Sequence, residues 1–219
     1  TYVAVALNGT DRVMTSPDGI NWTSRSASEA NSWSAVTFGN GTFVAVSFDG
    51  VNQVMTSTDG ITWTSRSASL STQWNDVTYG NNLFVAVALV GPSLMTSPDG
   101  ITWTSRSVPE ANLWNSVTFG NGVFASVANN GTNRVMRSVD GVNWTAQAAS
   151  EDNIWWQVAH GGDQFVSVSV DGTNRVMTSP DAITWTSQNQ AEDNSWNSVA
   201  YGGGLSVAVA SDGTNRIMW

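Results

Sequence analysis

Five tryptophans, Trp22, Trp63, Trp103, Trp144 and Trp185, stand 41, 40, 41 and 41 residues apart. Each closes a short motif, seen best as Ser97-Pro98-Asp99-Gly100-Ile101-Thr102-Trp103. A fixed period near 40 residues means one supersecondary unit copied along the chain, because such a unit cannot bury its apolar face alone and must stack on its neighbours. When the unit holds several short strands, the architecture it specifies is a propeller. The chain is therefore expected to be all-β, with four-stranded blades of about 41 residues, in a single domain spanning residues 1–219.

One repeat shows the strands. Strand a is Trp114 to Phe119, and Gly120-Asn121-Gly122 turns the chain. Strand b is Val123 to Ala128. The loop from Asn129 to Asn133 leads to strand c, Arg134 to Ser138. Val139-Asp140-Gly141 turns again, and strand d is Val142 to Ala146. These runs are β-branched or aromatic, alternate with period two and are bounded by Gly, Asn and Asp. The chain opens on strand b at Tyr2 and closes on strand c, Arg216 to Trp219.

The tally is five a, six b, six c and five d strands. The main expectation is five blades with terminal overlap, in which the strand a at Trp196 completes the N-terminal b-c-d set and one b–c hairpin is left over. The alternative is six blades with incomplete first and last members. An apolar Val-Ala-Val-Ala strand is costly to leave in water, which is the argument against a spare hairpin.

Composition removes several functional classes. The net charge is −9, from seventeen acids against eight basic residues, all arginine. Nucleic-acid phosphate and anionic membrane surfaces both call for clustered cations, so neither is the expected partner. Cysteine is absent, which excludes disulfides and thiolate metal sites. No apolar run approaches a membrane span, and neither cofactor nor metal is expected. The start at Thr1 without a visible signal peptide reads as a mature or excised segment, and the Ser/Thr/Asn/Gly-rich, lysine-free composition as an extracellular or cell-surface setting.

The motif Ser-Pro-Asp-Gly-x-x-Trp resembles the Asp-box, or BNR, repeat of sialidase-like propellers, although it is one residue shorter than Ser-x-Asp-x-Gly-x-x-Trp. The wider order of Trp-x-x-Val-x-Phe, Gly turn, Phe-Val-Ala-Val-Ala, Val-Met-x-Ser and Asp-Gly-x-x-Trp is similar to photosystem II assembly factors of the same class. The resemblance implies that the box is a structural hairpin away from any active site. The residues agree. Pro17-Asp18-Gly19 suits a type I turn followed by a left-handed glycine, with the carboxylate accepting turn amides. Asp18, Asp59, Asp99, Asp140 and Asp181 are thus assigned structural roles. Ala182 replaces the glycine in one copy and would cost about 1 kcal/mol if that turn is left-handed.

Strand alternation places the a–b and c–d turns on one face and the d–a and b–c loops on the other. All four glutamates of the chain lie in d–a loops. These loops carry Glu29 and Asn31, Glu110 and Asn112, Glu151, Asp152 and Asn153, and Glu192, Asp193 and Asn194. The b–c loops on the same face end in Arg12, Arg134, Arg175 and Arg216. The repeats with Gln53 and with Pro92-Ser93 lack that arginine. Beside these groups stand Trp33, Trp74, Trp114, Trp155 and Trp196. Aromatic faces with planar amides, carboxylates and guanidinium groups suit a sugar, and several weak copies would gain avidity. The leading expectation is a lectin-like, non-enzymatic module that recognises a glycan or surface polymer. The alternative is a structural or assembly module that contacts protein or itself. The competing view of the rim has the tryptophans packing between blades and Glu–Arg pairs stapling the loops. No catalytic residues are assigned: a sialidase needs an arginine triad, a Tyr–Glu pair and an acid Asp, whereas Tyr2, Tyr79 and Tyr201 stand where other repeats carry Phe. His160, the one histidine, reads as a substitution for that aromatic residue.

Overall fold

The computed structural model describes residues 1–91 and 93–219; Pro92, in the repeat expected to lack the loop arginine, lies outside the described residues. Two compact units divide the chain, Thr1–Arg106 and Ser107–Trp219. The first holds β1 (Tyr2–Val5), β2 (Val13–Ser16), β3 (Thr23–Arg25), β4 (Trp33–Gly39), β5 (Thr42–Ser47), β6 (Val54–Ser57), β7 (Thr64–Arg66), β8 (Trp74–Gly80), β9 (Leu83–Ala88), β10 (Leu94–Ser97) and β11 (Thr104–Arg106). The second holds β12 (Trp114–Gly120), β13 (Val123–Ala128), β14 (Val135–Ser138), β15 (Thr145–Gln147), β16 (Trp155–Gly161), β17 (Gln164–Ser169), β18 (Val176–Ser179), β19 (Thr186–Gln188), β20 (Trp196–Gly202), β21 (Leu205–Ala210) and β22 (Ile217–Met218).

Among the described residues these strands form six antiparallel meanders, three in each unit. The first sheet is β1-β2-β3 and the last β20-β21-β22, while the other four have four strands each. The fold is all-β with six blades, and the expected five-blade overlap is corrected. β20 pairs with β21, from Trp196 opposite Ala210 to Gly202 opposite Leu205, and so completes its own sheet instead of the N-terminal one. The physical reason is local: the Gly203-Gly204 turn brings β21 back beside β20, both glycines having positive φ. The leftover hairpin does not exist, because each b–c pair lies in a sheet with an a or a d strand.

Strand d starts later than the alternation predicts. Its expected first residues are held in the preceding turn, where the Asp140 carboxylate accepts the amides of Val142 and Asn143 at 2.8 Å each. Ser138 Oγ accepts the Gly141 amide at 2.8 Å, so serine and aspartate together hold the corner. The same kind of bond recurs at Asp18, Asp59, Asp99 and Asp181, each carboxylate accepting an amide of its own turn. The corner residue is left-handed, with φ +73° at Gly100 and +60° at Ala182. The tryptophan that ends the motif turns back over this corner, Trp103 Nε1 donating to the Gly100 carbonyl at 3.0 Å.

Successive sheets within a unit pack face to face. In the first unit Val44, Val46 and Val54 of one sheet pack against Trp74, Phe84, Met95 and Trp103 of the next. There a Cβ on Gly100 would stand 2.6 Å from Val44 Cγ2. In the second unit Ala125, Val127 and Val135 meet Trp155, Phe165, Met177 and Ala182 in the same way. Aromatic residues at the end of strand a close the joints further along. Tyr79 covers Gly39, His160 covers Gly120 and Tyr201 covers Gly161, so closely that a side chain on any of these glycines would collide with the ring. His160 thus does the work of the aromatic residue it replaces, and stacks edge-on against Phe165 at 4.7 Å between centroids.

Candidate functional site

The loop end of each sheet is built around its strand-a tryptophan. Trp33, Trp74, Trp114, Trp155 and Trp196 are all fully buried, at 0–1% exposure. Backbone carbonyls of the d–a loop fix the ring edges: Trp33 Nε1 donates to Glu29 O at 3.0 Å, Trp155 to Glu151 O at 3.0 Å and Trp74 to Leu70 O at 3.2 Å. The expected stacking surface is therefore corrected. These rings are core, with no open face for a sugar, because the bulge that follows each of them in strand a turns the side chain inward.

The glutamates are brought together with asparagines of the b–c loop in the same sheet. Asn52 Nδ2 donates to Glu29 Oε1 at 2.6 Å, and Asn133, Asn174 and Asn215 make the same short bond to Glu110, Glu151 and Glu192. The d–a asparagines complete the latch. Asn31, Asn112, Asn153 and Asn194 are buried and donate to the carbonyls of Asn52, Asn133, Asn174 and Asn215 at 2.7–2.8 Å. Each lies flat on a left-handed glycine, Gly50, Gly131, Gly172 or Gly213, where a Cβ would collide with the amide. Accepting these neutral donors holds all four glutamates below the usual carboxylate range, with Asn side chains leading at Glu29, Glu110 and Glu151 and the Asn215 amide leading at Glu192.

Among the described residues the b–c loop arginines bind carbonyls, not these glutamates as the stapling view expects. Arg134 Nη1 donates to Asn153 O at 2.7 Å and Arg175 Nη1 to Asp193 O at 2.7 Å, each tying a b–c loop to the following d–a loop. Arg12 and Arg216 bind carbonyls of their own loop through Nε. In the second sheet Gln53 takes the arginine's place and bridges Thr72 by both amide atoms. Asp152 and Asp193 are exposed. The residues missed by sequence reading are Asn52, Asn133, Asn174 and Asn215, together with Asp49 and Asp212. These two aspartates accept the amides of Ser32 and Ser195. Their recurrence as Asp/Asn-Gly-x-Asn was the available signal.

One repeat departs from this scheme. In the third sheet Leu70 and Thr72 stand where the others carry Glu and Asn. Among the described residues no Glu–Asn latch forms there; Thr72 Oγ1 donates to Val90 O at 2.7 Å. Leu70 and Val90 are exposed, and Val51 in the neighbouring loop is 90% exposed. The Gln53–Thr72–Val90 bonds join the loops that carry these three residues in the Thr1–Arg106 unit.

No protein-family model matches the chain, and no curated protein matches it. Solved structures do. A streptogramin B lyase superposes with a TM-score of 0.80 at 15% identity, over 93% of this chain and 70% of that one. YCF48 bound to D1 peptide gives 0.67 at 15% identity, over 94% and 70%. The computationally designed Ika8 protein gives 0.64 at 16%, over 86% of this chain and 59% of the designed one. The lyase and YCF48 are β-propellers, and a likeness at this identity shows the fold, here a propeller of six blades. That fold serves binding proteins and a lyase alike, so chemistry must be argued from side chains.

Proposed function

We propose that this chain is a non-enzymatic recognition module that docks protein through the loop end of its Thr1–Arg106 unit. The observation that carries the reading is the third sheet, where Leu70 and Thr72 replace the Glu and Asn of the other repeats and Leu70 and Val90 are exposed, on loops hydrogen-bonded to the one that carries exposed Val51. Exposed apolar side chains on joined loops favour a protein contact. YCF48, of the same fold, binds D1 peptide, which supports a peptide-bearing partner. The glycan reading loses its aromatic surface, since the five strand-a tryptophans are covered.

The absence of catalysis is part of the proposal. Carboxylates held ionised by several neutral donors make poor general acids and weak bases. His160 is wedged between Gly120 and Phe165, and burial lowers its pKa. The Ser–Asp–Gly hairpins support reading the repeats as Asp-box units, and the composition supports an extracellular or cell-surface setting. Peptide and glycan arrays probed with the wild type and with Leu70→Glu test the reading. Peptide binding that weakens at least about tenfold in the variant is the expected result. Glycan binding that survives Leu70→Glu, with no peptide bound, would replace protein by sugar as the ligand.

A further inference from the structure

The second and third sheets both have all four strands and pack within one unit, and a groove of about 260 Å³ opens where their turn ends meet. Thr56 of β6 and Arg66 of β7 line one side, and Asp99 and Ile101 of the next sheet the other. Thr56 faces the Asp99 corner, its Cγ2 3.6 Å from where a Cβ on Gly100 would stand. That corner offers acceptors. Asp99 Oδ1 takes the amides of Ile101 and Thr102 at 2.8 and 2.9 Å, and the Ser97 hydroxyl at 2.9 Å. Oδ2 takes none among the described residues, because Thr102 stands where Asn143 donates to the second oxygen of Asp140. Among the described residues no hydrogen bond reaches the Asp99 carbonyl either.

The second unit has the same joint with the space filled. Arg137 holds the Thr56 position in β14, opposite Thr145 as Thr56 is opposite Thr64. It crosses the joint and donates Nε–H to the carbonyl of Asp181, the counterpart of Asp99, at 2.9 Å. The Ile183 amide leads in holding Asp181 below the ordinary carboxylate range, and the Arg137 charge adds to it. At Asp99 the Thr102 amide leads and no arginine contributes. Arg66 does not take over the part: it donates Nε–H to Thr56 Oγ1 at 3.1 Å and bonds neither Asp59 nor Asp99. A short threonine where the other joint has a long arginine thus leaves the acceptors bare and the space before them open.

We propose that this groove binds a guanidinium group, carried by an arginine side chain of a protein or peptide, which donates to the Asp99 carbonyl and carboxylate as Arg137 donates to Asp181. A planar fork of N–H donors suits a carbonyl and a carboxylate side by side. Two carboxylates, Asp59 and Asp99, line the groove against the single cation Arg66, so its charge favours a positive ligand.

An NMR titration with Nα-acetyl-arginine amide tests this, read at the Ile101 and Thr102 amides, with the uncharged citrulline analogue as control. Saturable shifts with the arginine compound and none with citrulline are expected. Thr56→Arg should weaken the response at least about tenfold, because its own side chain fills the groove. If circular dichroism shows that variant unfolded, Thr56→Arg with Arg66→Gln, which copies the Arg137–Gln147 pair, serves in its place. Arg137→Thr, which introduces the residue that the other repeats carry there, should create a second response at Ile183 and Thr184. A wild type without saturable shifts overturns the proposal, as does a citrulline response equal to that of arginine. So does an unchanged response in the filled variant, or an Arg137→Thr variant that gains none. Leu70→Glu, in a loop at the other end of the sheets, should leave the titration as it is, so failure of the docking reading and failure here are told apart.

Discussion

Val44 and Ala125 occupy the same place in strand b of two sheets, and Gly100 and Ala182 the same corner of the sheets that follow them. At the first joint a large side chain meets a bare corner, with no room for a methyl group. At the second the corner has gained a methyl and the facing side chain has lost two. Ala182 is fully buried there in the same cluster as Ala125. The pair has exchanged volume across the joint, as close packing requires. The comparison teaches that the Ser-Pro-Asp-Gly motif keeps its glycine for two separable reasons. One is the left-handed backbone, which Ala182 tolerates at φ +60°. The other is space, which depends on a residue more than fifty positions away.

Four substitutions probe that difference. Gly100→Ala should destabilise most, by about 3 kcal/mol, since it adds both backbone strain and a collision with Val44. In a Val44→Ala background the same change should cost only the backbone share, about 1 kcal/mol, and a double-mutant cycle by urea denaturation reads the coupling. Ala125→Val should cost about 2 kcal/mol by crowding Ala182, and adding Ala182→Gly should restore most of the loss. Ala182→Gly alone should move the melting temperature least. Relief of the left-handed strain, about 1 kcal/mol, is offset by the loss of one buried methyl group worth about 0.8 kcal/mol.

Acid should not discriminate between the two joints, because both keep the turn aspartate. Turn amides hold Asp99 and Asp181 below the ordinary carboxylate range, the Thr102 amide leading at Asp99 and the Ile183 amide at Asp181. The Thr62 amide leads in holding Asp59 at about 2. A carboxylate whose folded pKa is depressed contributes stability above its unfolded pKa and loses it as pH falls through the folded value. The Asp59 hairpin should therefore weaken between about pH 4 and pH 2, and those of Asp99 and Asp181 as pH falls below about 4, seen as a fall in melting temperature. A fall that begins nearer neutrality would show that other groups govern acid unfolding.

The spacing of five tryptophans was enough to read the strand order, the all-β class and the turn chemistry. The choice between five and six blades was not legible, because a b–c hairpin at a chain end looks the same whether it is spare or lies in its own sheet. The Gly203-Gly204 turn decides it by closing β20 onto β21. At the loop end of each sheet, Glu, Asn, Arg and Trp were read as an open surface, whereas the tryptophans and the d–a asparagines are buried. Sequence period shows which residues share a rim but not that Glu29 is already bonded to Asn52, or that a bulge turns Trp33 inward. Ala182 was noticed as a departure; Ala125 was not, since one chain does not show which positions of successive sheets face each other.

The loop latches join charges to neutral partners, glutamate to amide and arginine to carbonyl. Dissolved salt screens attraction between opposite charges far more than it weakens a short hydrogen bond to an uncharged group. Raising ionic strength should leave these loops intact. What salt does screen is the mutual repulsion of a chain carrying a net charge of −9. The fold should accordingly be at least as heat-stable in concentrated salt as in dilute buffer, the opposite of a protein held together by surface ion pairs.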